Sequence, residues 1–285
     1  PAGELGGPAR PKPVLVLTTR PAARPWRWIA SSIAAALALL VGGNLLWQAL
    51  EQSQRRAEET APRPRYATAR GQRASLRLPD GTTVLLNTES VLEVSAAYGG
   101  RMREVYLRGE AYFEVAHDST RPFRVHGGSA TTEVLGTKFG VRARPEERAV
   151  QVLVAEGRVA LSGPRADTGR RVVLGHGDLG RRATDGATSV VHDVQVEHGL
   201  AWKDGGLFFE RESLPEVLAE LGRWYDREFV LGDSSLASSR LTTSLHGESL
   251  DEALQVLEAS LDVTCRVAGR TITIERRQPG GRSHP

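Results

Sequence analysis

The chain has 285 residues, 40% hydrophobic and 6% aromatic, and its 37 Lys and Arg against 34 Asp and Glu leave a net charge of +3. That length accommodates two small domains with connecting segments, while a charged fraction of 25% excludes a polytopic membrane protein and a wholly disordered chain. The single cysteine, Cys265, excludes an intramolecular disulfide and any CxxC redox or metal site.

The charge is unevenly spread. Residues 1–75 carry +7, residues 76–200 are neutral, residues 201–275 carry −7, and the tail adds +3. A nucleic-acid module gathers its basic residues on a folded face. Here the basic excess lies in Pro- and Ala-rich flanks and the best-patterned segment is acidic, so nucleic acid is not an expected partner.

In chain order, residues 1–27 form a disordered Pro/Arg-rich segment, in which Pro1, Pro8, Pro11, Pro13, Pro21 and Pro25 break any periodicity. The chain opens on Pro1, which leaves its native N-terminus open. No residue between Arg27 and Glu51 is charged, and residues 28–50 reach roughly 34 Å as a helix, enough to cross a hydrocarbon core of about 30 Å. Trp26, Trp28 and Trp47 mark the two ends, where indoles favour the lipid–water interface. A signal peptide has a shorter apolar core of about 7–15 residues and a small-residue cleavage site; this run is longer and no such site follows, so a single transmembrane helix is expected at 28–50. Five Lys or Arg precede it (Arg10, Lys12, Arg20, Arg24, Arg27) and five follow (Arg55, Arg56, Arg63, Arg65, Arg70), so charge alone does not orient it. Residues 51–69 read as a flexible linker.

From residue 70 to 182 the pattern is one of short strands: SLRL, TTVLLN, VLEV, REVYL, AYFEV, PFRV, TEVLG, KFGVRA, VQVLV and RVAL, separated by turns such as Pro79-Asp80-Gly81 and Tyr98-Gly99-Gly100. Strands at this spacing with no helical run between them predict an all-β domain. Residues 183–200 read as a connector.

Residues 201–276 carry a different pattern. Ser213-Leu214-Pro215-Glu216 and Ser249-Leu250-Asp251-Glu252 are capping boxes, each opening a helix with an apolar stripe: Leu214, Val217, Leu218, Leu221 in one and Leu250, Ala253, Leu254, Leu257, Leu261 in the other. With the strands around them they predict a small α+β domain of order βαββαββ, expected to fold independently and to present a sheet edge to a partner. Its Glu-rich helix faces read as solvated surface. Residues 277–285 form a tail.

Chemistry-bearing constellations are sparse. None of the seven histidines forms an HxxxH or HExxH pair, so no metal site is expected. His117-Asp118 and His192-Asp193 set a base beside a carboxylate, but neighbours in a strand point apart. There is no GxSxG, Walker A or EF-hand loop, so neither a conventional enzyme nor a cofactor is expected. Cys265 reads as an inert core thiol, and Trp202, before Asp204-Gly205-Gly206, as a packing anchor between domains.

LRLPDGTTVLLNTESVLEV, LRGEAYFEVAHDSTRPFRV, VLGTKFGVRA, VAEGRVAL and AWKDGGLFFERESLPEVLAELGRWYDREFVL resemble the successive signatures of the FecR family of membrane anti-sigma regulators, over roughly residues 70–275. The last domain also resembles the short N-terminal signalling domain of secretins and TonB-dependent transducers. The resemblance implies an inner-membrane, single-pass protein with a cytoplasmic N-terminus and a periplasmic bulk. It also implies an outer-membrane TonB-dependent transducer, commonly of the iron-siderophore type, that signals to this chain, and an extracytoplasmic-function sigma factor under its control. Members that bind sigma directly carry a helical cytoplasmic domain before the span. Residues 1–27 show no capped amphipathic helix, so sigma binding is assigned to no residue of this sequence. The alternative is a membrane-anchored periplasmic scaffold that reuses the β domain without sigma control. In some relatives a Gly-Thr bond at the position of Gly136-Thr137, within VLGTKFGV, breaks without a protease. Two readings of Gly136-Thr137 stand side by side: a single-turnover self-cleavage, in which the Thr137 hydroxyl attacks the Gly136 carbonyl and water completes the break, and an ordinary strand or bulge position, where glycine relieves crowding and threonine suits a strand.

Overall fold

The computed structural model describes residues 42–44, 46–48, 63–100, 102–164 and 171–277. The chain divides into two units, residues 1–59 and 60–285. In the first, residues 42–44 and 46–48 are helical; the rest of the expected span at 28–50 lies outside the described residues, as do residues 1–27 and 278–285. No described helix is long and apolar enough to cross a membrane.

The second unit begins with strands whose side chains alternate between core and solvent, as a half-buried sheet requires. β3 (Thr83–Leu86) and β4 (Val91–Val94) bury every second residue, and β6 (Phe123–Gly127) does the same. The segments REVYL and AYFEV, expected as separate strands, are one strand of 12 residues, β5 (Arg103–Glu114). Gly109 lies at its middle with a φ of +101°, a conformation that favours glycine, and a Cβ there would collide with Ser90. The bend sends the two halves of β5 into different layers. Its first half pairs with β4 and, in parallel, with β6; its second half pairs with β3 and with β8 (Lys138–Ala143).

Outward from β5 the ladder runs one way through β6, β7 (Ala130–Val134), β10 (Val159–Ser162) and β11 (Val172–Leu174). The other way it runs through β8, β9 (Ala149–Glu156), β12 (Leu179–Ala183) and β13 (Thr188–Val191). These opposite ends fold over one another. A Cβ on Gly180 of β12 would meet Leu174 of β11 at 2.6 Å and Leu161 of β10 at 2.9 Å. Phe113, Phe123 and Phe139 fill the centre, with ring centroids 5.3 Å apart for Phe113–Phe139 and 5.9 Å for Phe113–Phe123. The sheet exceeds the expected bounds of 70–182 on both sides. β1 (Arg65–Ala67) precedes them and pairs with β4, and β13 extends into the segment read as connector, while β2 (Ala74–Arg77), within them, pairs with β3.

After β13 the chain crosses the outer face of β8 and β9 as α1 (Val196–Gly199) and the 3-10 turn η1 (Ala201–Asp204). Glycines permit this close approach: a Cβ on Gly140 would meet Leu200 at 2.6 Å, and one on Gly199 would collide with Leu153. Trp202 is buried with Tyr112, Leu153 and Leu200, so it anchors the passage.

The C-terminal module then runs β14 (Gly206–Ser213), α2 (Leu214–Tyr225), β15 (Glu228–Leu231), a 3-10 turn η2 (Ser234–Ser238), β16 (Arg240–His246), α3 (Leu250–Leu261), β17 (Val263–Ala268) and β18 (Thr271–Arg276). Both helices start in capping boxes: the Ser213 amide donates to Glu216 at 3.3 Å and the Ser249 amide to Glu252 at 2.8 Å. Both end on an aspartate in the left-handed region, Asp226 and Asp262. The strands form two small sheets, β14–β16 antiparallel and β15–β18–β17 mixed, with the helix stripes buried against them.

Candidate functional site

Two places stand out among the polar residues that the fold withdraws from water. The first is the joint between the sandwich and the module. Asn87, at the end of TTVLLN, donates to Glu110 at 2.8 Å, and Arg144, just after β8, reaches the same carboxylate at 3.0 Å. Arg144 also reaches Glu220 on α2 at 3.3 Å. Arg223, one turn further along α2, holds Glu220 at 2.9 Å and Glu146 at 3.1 Å. Arg142 approaches Glu220 at 3.5 Å and Glu147 at 2.7 Å. Glu220 is 5% exposed, which corrects the reading of the helix glutamates as solvated surface. Helical spacing puts residue 220 beside the apolar stripe rather than opposite it, and although Arg223 is its neighbour one turn along the helix, Arg142 and Arg144 come from another domain, so sequence proximity gives no sign of those two.

Burial alone would raise the Glu220 carboxyl. The guanidinium groups of Arg142, Arg144 and Arg223 outweigh that effect and hold it down at about 2. The loop between β1 and β2 completes the joint. The Gly71 amide donates to the Arg223 carbonyl at 2.7 Å, Arg73 donates to the Trp202 carbonyl at 2.5 Å, and the Arg73 guanidinium lies 4.6 Å from the Trp224 ring centroid. Rigid coupling of the two domains is what such an arrangement can do.

The second place surrounds Gly136-Thr137. Thr137 is buried, its hydroxyl donates to the Arg158 carbonyl at 2.9 Å, and its carbonyl accepts from the Val115 amide at 3.1 Å. Gly136 lies under His117, whose Nδ1 would be 2.7 Å from a Cβ at that position. Gly157, with a φ of +89°, backs onto the same bond: a Cβ there would meet Thr137 Oγ1 at 3.0 Å and the Gly136 carbonyl oxygen at 3.3 Å. An open cleft lined by Glu114, His117, Lys138 and Glu156 borders the bond, and Lys138 pairs with Glu156 at 2.8 Å. His117 is the titratable residue that sequence reasoning did not connect to this bond; its approach depends on the loop after β5, which brings it 19 residues back toward Gly136.

The other sequence candidates take structural places. His192 pairs with Asp178 at 2.6 Å rather than with Asp193, and Asp118 binds Thr120 and Arg121. Burial, with Glu258 nearby, pushes the Cys265 thiol up to about 12, well away from reactive thiolate character. Among the described residues no group of three or more His, Cys, Asp or Glu is placed to hold a metal ion.

Residues 64–160 match the family described as FecR protein and residues 206–274 match the family described as FecR, C-terminal, together more than half of the chain. The chain belongs to the FecR family. The two FecR matches fall on either side of the joint, so Glu110 and Arg144 come from one and Glu220 and Arg223 from the other. Two crystal structures described as a "putative anti-sigma factor" from Parabacteroides distasonis ATCC 8503, at 1.65 Å and 2.50 Å resolution, are similar to it. Each has a TM-score of 0.69 and 26% identity, covering 75% and 76% of this chain and 100% of its own. No curated protein matches the chain.

Proposed function

We propose that this FecR protein is a membrane-anchored, non-enzymatic regulator of a sigma factor. Its module receives a periplasmic signal from the signalling domain of an outer-membrane TonB-dependent transducer, of the iron-siderophore type, and the sandwich passes it toward the membrane. Family membership and the description of the Parabacteroides protein support the regulatory role. The observation that carries the relay is the joint: Glu220 of the module is held by the buried Arg144 and the half-buried Arg142 of the sandwich, so a load on the module is transmitted rather than absorbed by a swivel.

The test is genetic. Deleting the chain changes transcription from the promoters of one extracytoplasmic-function sigma factor, and the signal that normally induces them ceases to act. Unchanged transcription of every such regulon, with and without inducer, would leave the scaffold reading in its place. Alkaline phosphatase fused after Pro285 is expected to be active, which places the C-terminal bulk in the periplasm; activity only of a cytoplasmic reporter would reverse that topology.

We further propose that the Gly136–Thr137 bond breaks once in the chain's own life. The Thr137 oxygen attacks the Gly136 carbonyl carbon, the amide C–N bond gives way to an ester, and the hydroxyl proton passes to the departing amine. Water then hydrolyses the ester, leaving a Gly136 carboxylate and a new N-terminal Thr137. The packing of His117 on Gly136 favours this reading, since an imidazole there can carry the proton.

A further inference from the structure

Free strand edges are templates for pairing, and folded proteins blunt them with brevity, side-chain caps or covering segments. Most edges in this protein are blunted in one of those ways. β1 and β11 have three residues, and β2, β13 and β15 have four. On β17 the Cys265 amide donates to the Glu258 carboxylate at 2.7 Å, and the Val263 carbonyl accepts from Arg277 at 3.3 Å. α1 and η1 lie along β14, where His198 stacks on Phe208 with centroids 3.7 Å apart.

β16 is the exception. It has seven residues, Arg240-Leu-Thr-Thr-Ser-Leu-His246, no carboxylate, no proline, and a strand on one side only. The Ser239 carbonyl accepts from the Leu214 amide, so alternation directs the backbone groups of Leu241, Thr243 and Leu245 toward β14. Those of Arg240, Thr242, Ser244 and His246 then face the open edge. Among the described residues, no hydrogen bond is made to the backbone groups on that open side. Side chains divide the same way: Leu241 and Leu245 are buried on the inner face, and Arg240, Thr242, Ser244 and His246 are exposed on the outer one.

We propose that this edge pairs with the same edge of a second copy of this chain, antiparallel about a two-fold axis at Thr243. The core of the strand, Leu-Thr-Thr-Ser-Leu, reads nearly the same in both directions, which is what an isologous contact needs. With Thr243 facing Thr243 of the second copy, Thr242 faces Ser244, Leu241 faces Leu245, and Arg240 faces His246. Hydroxyl meets hydroxyl outside and leucine meets leucine inside. The outward-facing backbone groups then fall opposite one another in hydrogen-bonded pairs, and the axis falls on a non-hydrogen-bonded pair, where Cα atoms approach to about 4.5 Å. The result is a continuous four-stranded sheet, β14–β16–β16–β14. This association is independent of which signal the protein transduces.

Disulfide trapping in the full chain tests it, because a Cα separation of about 4.4–6.8 Å permits a disulfide. In a Cys265→Ser background, Thr243→Cys should yield a covalent dimer on mild oxidation that reductant reverses. Arg266→Cys, on the exposed outer face of β17, should remain monomeric under the same conditions. Adding Ser244→Pro removes an amide of the open edge that the β14 ladder does not use, and should abolish the dimer. Should that variant lack a thermal unfolding transition, Thr242→Glu with Ser244→Glu serves instead, since it sets like charges opposite one another across the axis and should abolish the dimer too. Three results would overturn the proposal: no dimer from Thr243→Cys, equal trapping by Arg266→Cys, or trapping of a different protein in native membranes, which would assign the edge to a foreign strand.

Discussion

Arg103 Nη1 lies 3.0 Å from Asp80 Oδ2 with both side chains withdrawn from solvent. The same guanidinium donates to the carbonyls of Ala116 at 2.8 Å and Arg121 at 2.8 Å, and so fills the loop that returns the chain from the end of β5 to the start of β6. Asp80 belongs to the turn after β2, so one cation fastens two connections on the same end of the sandwich. That loop also carries His117, which makes Arg103 the support beneath the histidine that covers Gly136.

Removing that support is expected to be costly. Arg103→Ala leaves Asp80 and the loop carbonyls without their partner, and should destabilise the protein by about 3–5 kcal/mol. Arg103→Lys restores the charge without the planar fork and should fall between. Urea unfolding midpoints of the three proteins check the order.

The joint has its own pH signature. An unfolded glutamate titrates near about 4.3, whereas Glu220 is held at about 2 in the folded protein. Its contribution is therefore fully present above the unfolded value and is lost as pH falls toward the folded one. Glu220→Gln, which leaves Arg142, Arg144 and Arg223 facing a neutral amide, should cost about 3 kcal/mol at neutral pH. The difference in melting temperature between this variant and the native chain should shrink steadily below about pH 4.

Gly109→Ala combines a left-handed φ with a collision against Ser90. A loss of about 2–4 kcal/mol is expected, drawn from backbone strain and overpacking together. Because the bend divides β5 between layers, the loss should appear as reduced amide protection on both halves of the strand, measurable by hydrogen exchange.

Intact-mass spectrometry of denatured protein, prepared without proteases, reads the Gly136–Thr137 bond. The native chain should show two fragments with a new N-terminus at Thr137, and Thr137→Ala a single full-length mass. His117→Ala should slow the appearance of the fragments. The halves should remain associated before denaturation, since β7 and β8 flank the bond within one sheet. A single full-length mass for the native chain, identical in behaviour to Thr137→Ala, would remove self-cleavage from the account.

Much of this architecture was legible in the residues. Alternation exposed the core strands, and the two Ser-x-x-Glu boxes marked the helix starts, because both signals are local. β1 and β13 were not legible, since each adds only three or four residues of pattern to a stretch whose composition reads as linker or connector. Gly109 concealed the continuity of β5: a glycine between two apolar runs reads as a turn, whereas here it bends one strand across two layers. Glu220 and His117 were missed for a different reason. Each acquires its setting from residues far along the chain, and only the folded sheet brings Arg144 to the one and Gly136 to the other.

Because the charges at the joint are divided between the two halves, neither half can be exchanged alone. A chimera that grafts a foreign module after Gly205 has to supply an acid where Glu220 stands, or it leaves the enclosed Arg144 with Glu110 and the more distant Glu147 alone to answer it. The pairing thus works as a compatibility code between sandwich and module. Mismatched halves would be rejected in folding, before any question of signalling arises.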